Sequence, residues 1–258
     1  MEREDGYETV VGTQFGSRAD AYLESTVHAG GEDLAAIVAQ VAERPGLTVL
    51  DLGCGGGHVT FNAAPHAASV TAYDVAPQML AVVERAAAER GLSNVKTRRG
   101  VAEALPFDDA SFDIVLTRLS AHHWSDFAKG IGEAARVLKP GGIVGFADTL
   151  SPGRPMLDTY LQTIETLRDC SHVRCYAHAE WIAAMTGAGL RVGEARQYRL
   201  RLDFDAWIER MKTPQVQTDA IRALQKSVAS EATGYFETEA DGSFTIDVGW
   251  FSATKPSS

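Results

Sequence analysis

Apolar positions along the chain follow two rhythms. Short runs such as Thr48-Val49-Leu50, Ser69-Val70-Thr71-Ala72-Tyr73, Val95-Lys96-Thr97-Arg98 and Ile114-Val115-Leu116-Thr117 read as strands, the first of them a buried parallel one. Between the runs the spacing turns helical. From Glu32 a stripe of Leu34, Ile37, Val38 and Val41 runs to a stop near Pro45-Gly46. An Ala-rich helix is predicted from Gln78 to about Arg90, with Gly91 placed to end it. Another spans about Ser125 to Leu138, with Phe127, Ile131, Ala134, Ala135 and Leu138 on one face, and Pro140-Gly141-Gly142 halts it before a strand from Ile143 to Ala147.

The two ends are less regular. Residues 1–13 read as disordered or loosely docked, and a helix is predicted from Ser17, carrying Ala19, Ala21, Tyr22 and Val27, until Gly30-Gly31 breaks it. Beyond Asp148 come a Ser151-Pro152-Gly153-Arg154-Pro155 loop and a helix from Met156 through Arg168. A second helix centres on Trp181 to Met185, and an edge strand alternates from Leu190 to Leu202. Two helices follow, Phe204 to Lys212 and Thr218 to about Ala232, parted by Pro214, and a last strand runs from Phe244 to Ala253. The expected architecture is therefore α/β: a Rossmann-like, seven-stranded, mostly parallel sheet flanked by helices, with helical insertions acting as a lid. One domain covers residues 1–258, with a ligand-binding core over 15–150 and lid or substrate-side insertions at 151–189 and 203–240.

Composition narrows the partners. A net charge of −10 over 258 residues argues against nucleic acid and anionic membranes, which call for a basic footprint. The apolar runs are too short to span a bilayer, and the charged start Met1-Glu2-Arg3-Glu4-Asp5 lacks a secretory core. Three cysteines, Cys54, Cys170 and Cys175, have no metal-ligand or redox spacing, so no metal site is expected and a reducing, cytoplasmic setting is.

The chemistry concentrates where Val49-Leu50 breaks into Asp51-Leu52-Gly53-Cys54-Gly55-Gly56-Gly57-His58. A strand that passes through glycines into a helix brings backbone N–H groups and a bare main chain to a ligand. The dinucleotide fingerprint fails, because its third glycine position is His58. Asp51 at the loop's start would repel a pyrophosphate and favour a cation such as an ammonium group. Asp74 ends the second strand, 74 − 51 = 23 positions later, near the ~20-residue offset of a ribose-binding carboxylate. Arg118 to Trp124 follow the fourth strand, where open parallel sheets place their ligands. His122 and His123 there are candidate general bases or pocket walls.

The stretch Asp51-x-Gly53-x-Gly55-x-Gly57 resembles motif I of the class I S-adenosylmethionine-dependent methyltransferases. Asp74-Val75-Ala76-Pro77-Gln78-Met79-Leu80, Gly100-Val101-Ala102-Glu103-Ala104-Leu105-Pro106-Phe107 and Arg136 to Gly142 resemble segments of the ubiquinone/menaquinone-type members. The resemblance covers roughly residues 15–150 and implies S-adenosyl-L-methionine as cofactor. On it, Asp51, Gly53, Cys54 and Gly55 would hold the methionine part. Asp74 and Val75 would hold the ribose, and Met79, Val101, Ala102 and Glu103 the adenine, with Arg118, Tyr22 and His28 adding further contacts. Val101 stands where the family has an Asp that takes the adenine amino group, which leaves Glu103 or a carbonyl to substitute. Trp124, His172, Arg174 and Tyr176 are the substrate-contact candidates. The implied reaction is methyl transfer to the O, C or N of a small-molecule acceptor, with His122 or His123 as base and homodimerisation left open. A non-catalytic adenosine-nucleoside-binding module and a nicotinamide-dependent dehydrogenase are the alternatives.

Overall fold

The computed structural model describes residues 6–16 and 31–257. The helix predicted from Ser17, with Tyr22 and His28, lies outside the described residues.

Seven strands form one sheet in the order β3-β2-β1-β4-β5-β7-β6. They are β1 (Thr48–Leu52), β2 (Ser69–Asp74), β3 (Val95–Arg99), β4 (Phe112–Arg118), β5 (Leu138–Leu150), β6 (Arg191–Leu202) and β7 (Phe244–Thr254). The first five are parallel, and β7 runs antiparallel between β5 and β6. β1 sits between β2 and β4, so the chain crosses from one side of β1 to the other, and the crevice of an open sheet forms at such a point. Val49, Leu50, Asp51 and Leu52 are all buried, which explains why β1 reads as a continuous apolar run.

Helices cover both faces. On one side α2 (Glu32–Ala42) and α3 (His58–Ala63) pack Leu34, Ile37, Val41, Val59 and Ala63 against Val49, Val70, Ile114 and Leu116. α4 (Pro77–Glu89) adds Leu80 and Val83 over Ala72 and Cys54. On the other side α5 (Phe127–Val137) and α7 (His178–Gly187) lay Phe127, Ile131, Trp181 and Met185 over Leu50, Val115, Val144 and Phe146. Asp126 caps α5 by accepting the Lys129 N–H at 3.0 Å.

A further core lies beyond the carboxyl edge. β5 pairs with β7 as far as Leu150↔Asp247, but β6 and β7 continue together to Leu202↔Phe244. This two-stranded arm packs Leu202, Phe244, Ile246 and Val248 against α6 (Pro155–Arg168), α8 (Phe204–Met211), α9 (Gln215–Ser227) and α10 (Ser230–Tyr235).

Three expectations are corrected. From Tyr7 onward the segment is not loose: α1 (Tyr7–Gly16) is a helix docked on the sheet's carboxyl side, and its Tyr7 hydroxyl donates toward the carbonyls of His123 (2.9 Å) and Ser171 (2.5 Å). The segment expected to hold two helices holds three, because Val228 and Ala229 take extended backbone with neither Pro nor Gly to announce it. β5 begins at Leu138 and runs to Leu150, with a register shift opposite Phe112/Ile114 that lets Pro140-Gly141-Gly142 bulge within the strand.

Candidate active site

The carboxyl ends of β1, β2 and β4 open into one long cavity, roofed by α1 and by the arm with its helices. At one end lies the glycine loop. Gly53 N–H and Cys54 N–H both donate to the Tyr73 carbonyl, at 2.8 and 3.0 Å, which folds the loop onto the end of β2. Gly53 has φ +74°, and a Cβ there would come within 1.9 Å of Ser120 Oγ. Gly55 has φ +48° and open space where its Cβ would project. One glycine is forced by a neighbour, and the other leaves main chain bare beside the cavity.

Two carboxylates flank that bare stretch. Asp51 is fully buried; its Oδ2 accepts from Thr60 Oγ1 at 2.6 Å, and its Oδ1 finds no partner among the described residues. Burial lifts its pKa to about 7, opposed by the Thr60 hydrogen bonds and reinforced by the charge of Asp74. Asp74 accepts N–H groups from Gly55 (Oδ2, 2.9 Å) and Ala76 (Oδ1, 2.9 Å). Burial raises its pKa too, and those N–H donors hold the rise in check.

Val75, Met79, Val101, Ala102 and Glu103 continue this half of the wall. Tyr73 donates to the Val101 carbonyl at 3.0 Å, and Glu103 turns Oε1 to Ser125 Oγ (2.8 Å) and the Asp126 N–H (3.1 Å). Arg118, at the end of β4, lies along the cavity and is clasped by Asp33 of α2, Nε to Oδ2 at 2.5 Å and Nη2 to Oδ1 at 3.1 Å. Its guanidinium therefore serves as a braced wall as well as a charge.

The two histidines differ. His122 Nδ1 lies 2.5 Å from Asp148 Oδ1, and its backbone N–H donates to Asp148 Oδ2 at 3.2 Å. Burial lowers the His122 pKa, but the charge and hydrogen bond of Asp148 outweigh it, so the net shift is upward. His123 donates Nδ1–H to the Ser171 carbonyl at 2.8 Å and meets Phe15 edge-on at 4.9 Å. Burial and the neighbouring His122 push its pKa down to about 4, which makes it neutral near pH 7. Trp124 borders the cavity and is buried, with its indole N–H directed at Ser120 Oγ, 3.3 Å away.

The remaining substrate candidates are placed otherwise. His172 is buried behind His122, ring centroids 5.8 Å apart, with Nε2 against Gln162 Oε1 at 2.8 Å. Arg174 turns away to Asp158 (2.9 Å) and borders a shallow surface depression. Tyr176 stacks on Phe127 at 3.9 Å as part of the core. Neither Arg174 nor Tyr176 reaches the long cavity, so the loop supplies Cys175 to its wall in their place. Asp148 and the deep lining from Glu165, Arg168, Asp169, Leu200, Leu202, Trp207, Arg210 and Ile246 were missed from sequence. So were Tyr7, Val11 and Phe15 of α1, although their i, i+4, i+8 spacing was a legible signal. No group of residues suited to a metal ion occurs among the described residues, and no helix among them is long and apolar enough to cross a membrane.

Residues 50–146 match the family model described as a methyltransferase domain. The chain is 47% identical to the uncharacterized protein YafE of Escherichia coli over 192 residues, 74% of this chain and 93% of that one. It is 35% identical to the uncharacterized methyltransferase YcgJ of Bacillus subtilis, over 87% of this chain and 88% of that one. The chain belongs to the methyltransferase family. The crystal structure of YcgJ superposes on this methyltransferase with a TM-score of 0.83 at 32% identity, covering 87% and 98% of the two chains. The demethylmenaquinone methyltransferase of Chlorobaculum parvum shares 34% identity over 110 residues, 42% of this chain and 44% of that one. Fold class, enzyme class and family thus agree with the reading of the sequence.

Proposed function

We propose that this methyltransferase uses S-adenosyl-L-methionine to methylate a small-molecule acceptor. One observation carries the choice of cofactor: a buried carboxylate with an orphaned oxygen beside bare glycine backbone, one strand away from a second carboxylate. An orphaned buried Oδ1 fits an ammonium group, and the residues present suit the nucleoside's other parts. Asp51, Gly53, Cys54 and Gly55 would hold the methionine portion, Asp74 and Val75 the ribose, and Met79, Val101, Ala102 and Glu103 the adenine, with Arg118 as a bracing wall.

When bound, the cofactor supplies an activated methyl carbon on a sulfonium. The chain's contribution is to align the acceptor with that carbon and to keep water away. Orientation of this kind is worth ~7–11 kcal/mol. Trp124, His122 and His123 would face the acceptor, with the arm and its helices closing the chamber. The named relatives include a demethylmenaquinone methyltransferase, which supports a small molecule. The acidity of the chain supports it too, against nucleic acid.

Calorimetry with S-adenosylmethionine, S-adenosylhomocysteine and NAD tests the proposal. Binding of the first two and not the third is expected. Binding of NAD alone would overturn it. S-adenosylhomocysteine binding without transfer to any fraction of a metabolite extract would favour a nucleoside-binding module instead.

A further inference from the structure

Asp148 lies near the carboxyl end of β5 with 1% of its surface exposed, an expensive place for a carboxylate unless it is fully bonded. It accepts three N–H groups: His122 Nδ1–H at 2.5 Å, the His122 backbone at 3.2 Å and the Thr149 backbone at 2.8 Å. A carboxylate can only accept, so the ring must carry its proton on Nδ1. Nε2 is then the lone-pair nitrogen. It makes no hydrogen bond among the described residues, and His122 borders the cavity.

The surroundings single His122 out. His123 is 4.1 Å away between centroids, but its Nδ1–H is spent on the Ser171 carbonyl and its Nε2 faces Asp169 Oδ2 at 4.0 Å. His172 is committed to Gln162. Glu165 and Arg168 come from α6, paired at 3.3 Å, and Tyr7 of α1 points at the His123 and Ser171 carbonyls. Among the described residues, only His122 combines a buried counter-charge on one nitrogen with a second nitrogen that makes no hydrogen bond.

We propose that His122 is the general base of this enzyme, that Asp148 is its positioning residue, and that the acceptor is therefore a weakly acidic hydroxyl or carbon acid rather than an amine. The inference presupposes the methyl transfer proposed above. A neutral amine already offers its lone pair and would gain nothing from a base oriented in this way. A phenol or enol gains its nucleophilic pair only as its proton leaves. That proton passes to His122 Nε2 while the acceptor's electron pair forms the bond to the methyl carbon. The carbon–sulfur bond breaks with its pair on sulfur, leaving S-adenosylhomocysteine. The imidazolium is neutralised by Asp148 and later gives its proton to solvent.

The test uses the full chain with ¹⁵N-labelled histidine and bound S-adenosylhomocysteine. The expected spectrum shows His122 as the Nδ1–H tautomer, with a titration midpoint above that of free histidine that falls in Asp148→Asn. Methyl-labelled S-adenosylmethionine is then incubated with a low-molecular-weight metabolite extract and the labelled products are identified. Label on oxygen or carbon supports the proposal. His122→Gln should slow incorporation by ~10²–10⁴-fold while leaving S-adenosylhomocysteine affinity within about twofold. An Nε2–H tautomer, a labelled N-methyl product, no labelled product despite bound cofactor, or a His122→Gln rate within tenfold of the parent would each overturn it. If Asp148→Asn does not fold, the parent's tautomer and the Gln variant still decide. Failure of S-adenosylmethionine to bind the parent would strike the cofactor assignment instead.

Discussion

Asp51→Asn separates what a buried carboxylate costs the empty protein from what it contributes to a ligand. Asp51 is wholly buried, and its pKa rises from 3.8 to about 7. Between those values the folded chain binds more protons at this group than the unfolded chain does, so stability falls as pH climbs from about 4 to 7. A rise of about three pH units, at ~1.4 kcal/mol each, puts the penalty at ~4 kcal/mol, fully present only above pH 7. Asn keeps the shape and can keep a bond to Thr60 Oγ1, but it carries no charge. The variant should therefore be more stable than its parent at pH 8, by at most that amount, by roughly 1.7 kcal/mol at pH 5, and at parity only below about pH 4. Binding should move the other way. Loss of a charge-assisted bond to the cofactor's ammonium costs ~1.5–3 kcal/mol, roughly 10- to 150-fold in Kd. In the parent, binding must also strip the proton from Asp51, so affinity should rise with pH up to about 7. Denaturant unfolding at pH 5 and 8 reads the first effect. Calorimetry in two buffers of different ionisation enthalpy reads the second, as a proton released on binding. Equal destabilisation at both pH values, or unchanged affinity with no proton released, would refute the reasoning.

Gly53→Ala should destabilise by at least ~1–3 kcal/mol from the left-handed backbone alone, and the contact with Ser120 Oγ adds to it; a change in urea midpoint too small to measure would contradict this. Asp33→Ala removes the Asp33 ion pair from Arg118, whose side chain is 7% exposed, and a loss of ~1–3 kcal/mol is expected in the same assay; an unchanged urea midpoint would contradict it. Tyr7→Phe removes one hydroxyl bond of ~1 kcal/mol, and hydrogen exchange should show faster opening of α1 while the central strands stay protected. His172 has a pKa lowered to about 3 by burial and by the neighbouring His122 and His123, so it resists protonation in the fold. The unfolded chain takes that proton first, and stability is lost as pH falls below about 6.5; His172→Gln should flatten this acid limb of the stability profile.

The central half of the molecule was legible because its signals are local. Glycines at 53, 55 and 57, a carboxylate on each of two successive strand ends, and Pro140-Gly141-Gly142 all act within a few residues of where they stand. The far half of the cavity was not, because its wall is assembled from residues far apart in sequence. Asp148 became a partner of His122 only through the pairing of β4 with β5, and Trp207 and Ile246 met only through the arm. Tyr176 and Arg174 failed as candidates for a related reason. Their types suit a binding loop, but an aromatic stack on Phe127 and an ion pair with Asp158 claimed them, and neither partner is near in sequence to suggest it. Val11 and Phe15 show the opposite case: their helical spacing was present, but a charged and Gly-punctuated start outweighed it.

The β6–β7 arm outruns the sheet and brings along its own apolar filling, distinct from the packing beneath the glycine loop. On the proposed function, changes to Leu200, Leu202, Trp207 or Ile246 would reshape which molecule is admitted without disturbing Asp51 or Asp74. Relatives that keep one donor while diverging in what they modify would be expected to vary first along this projecting hairpin.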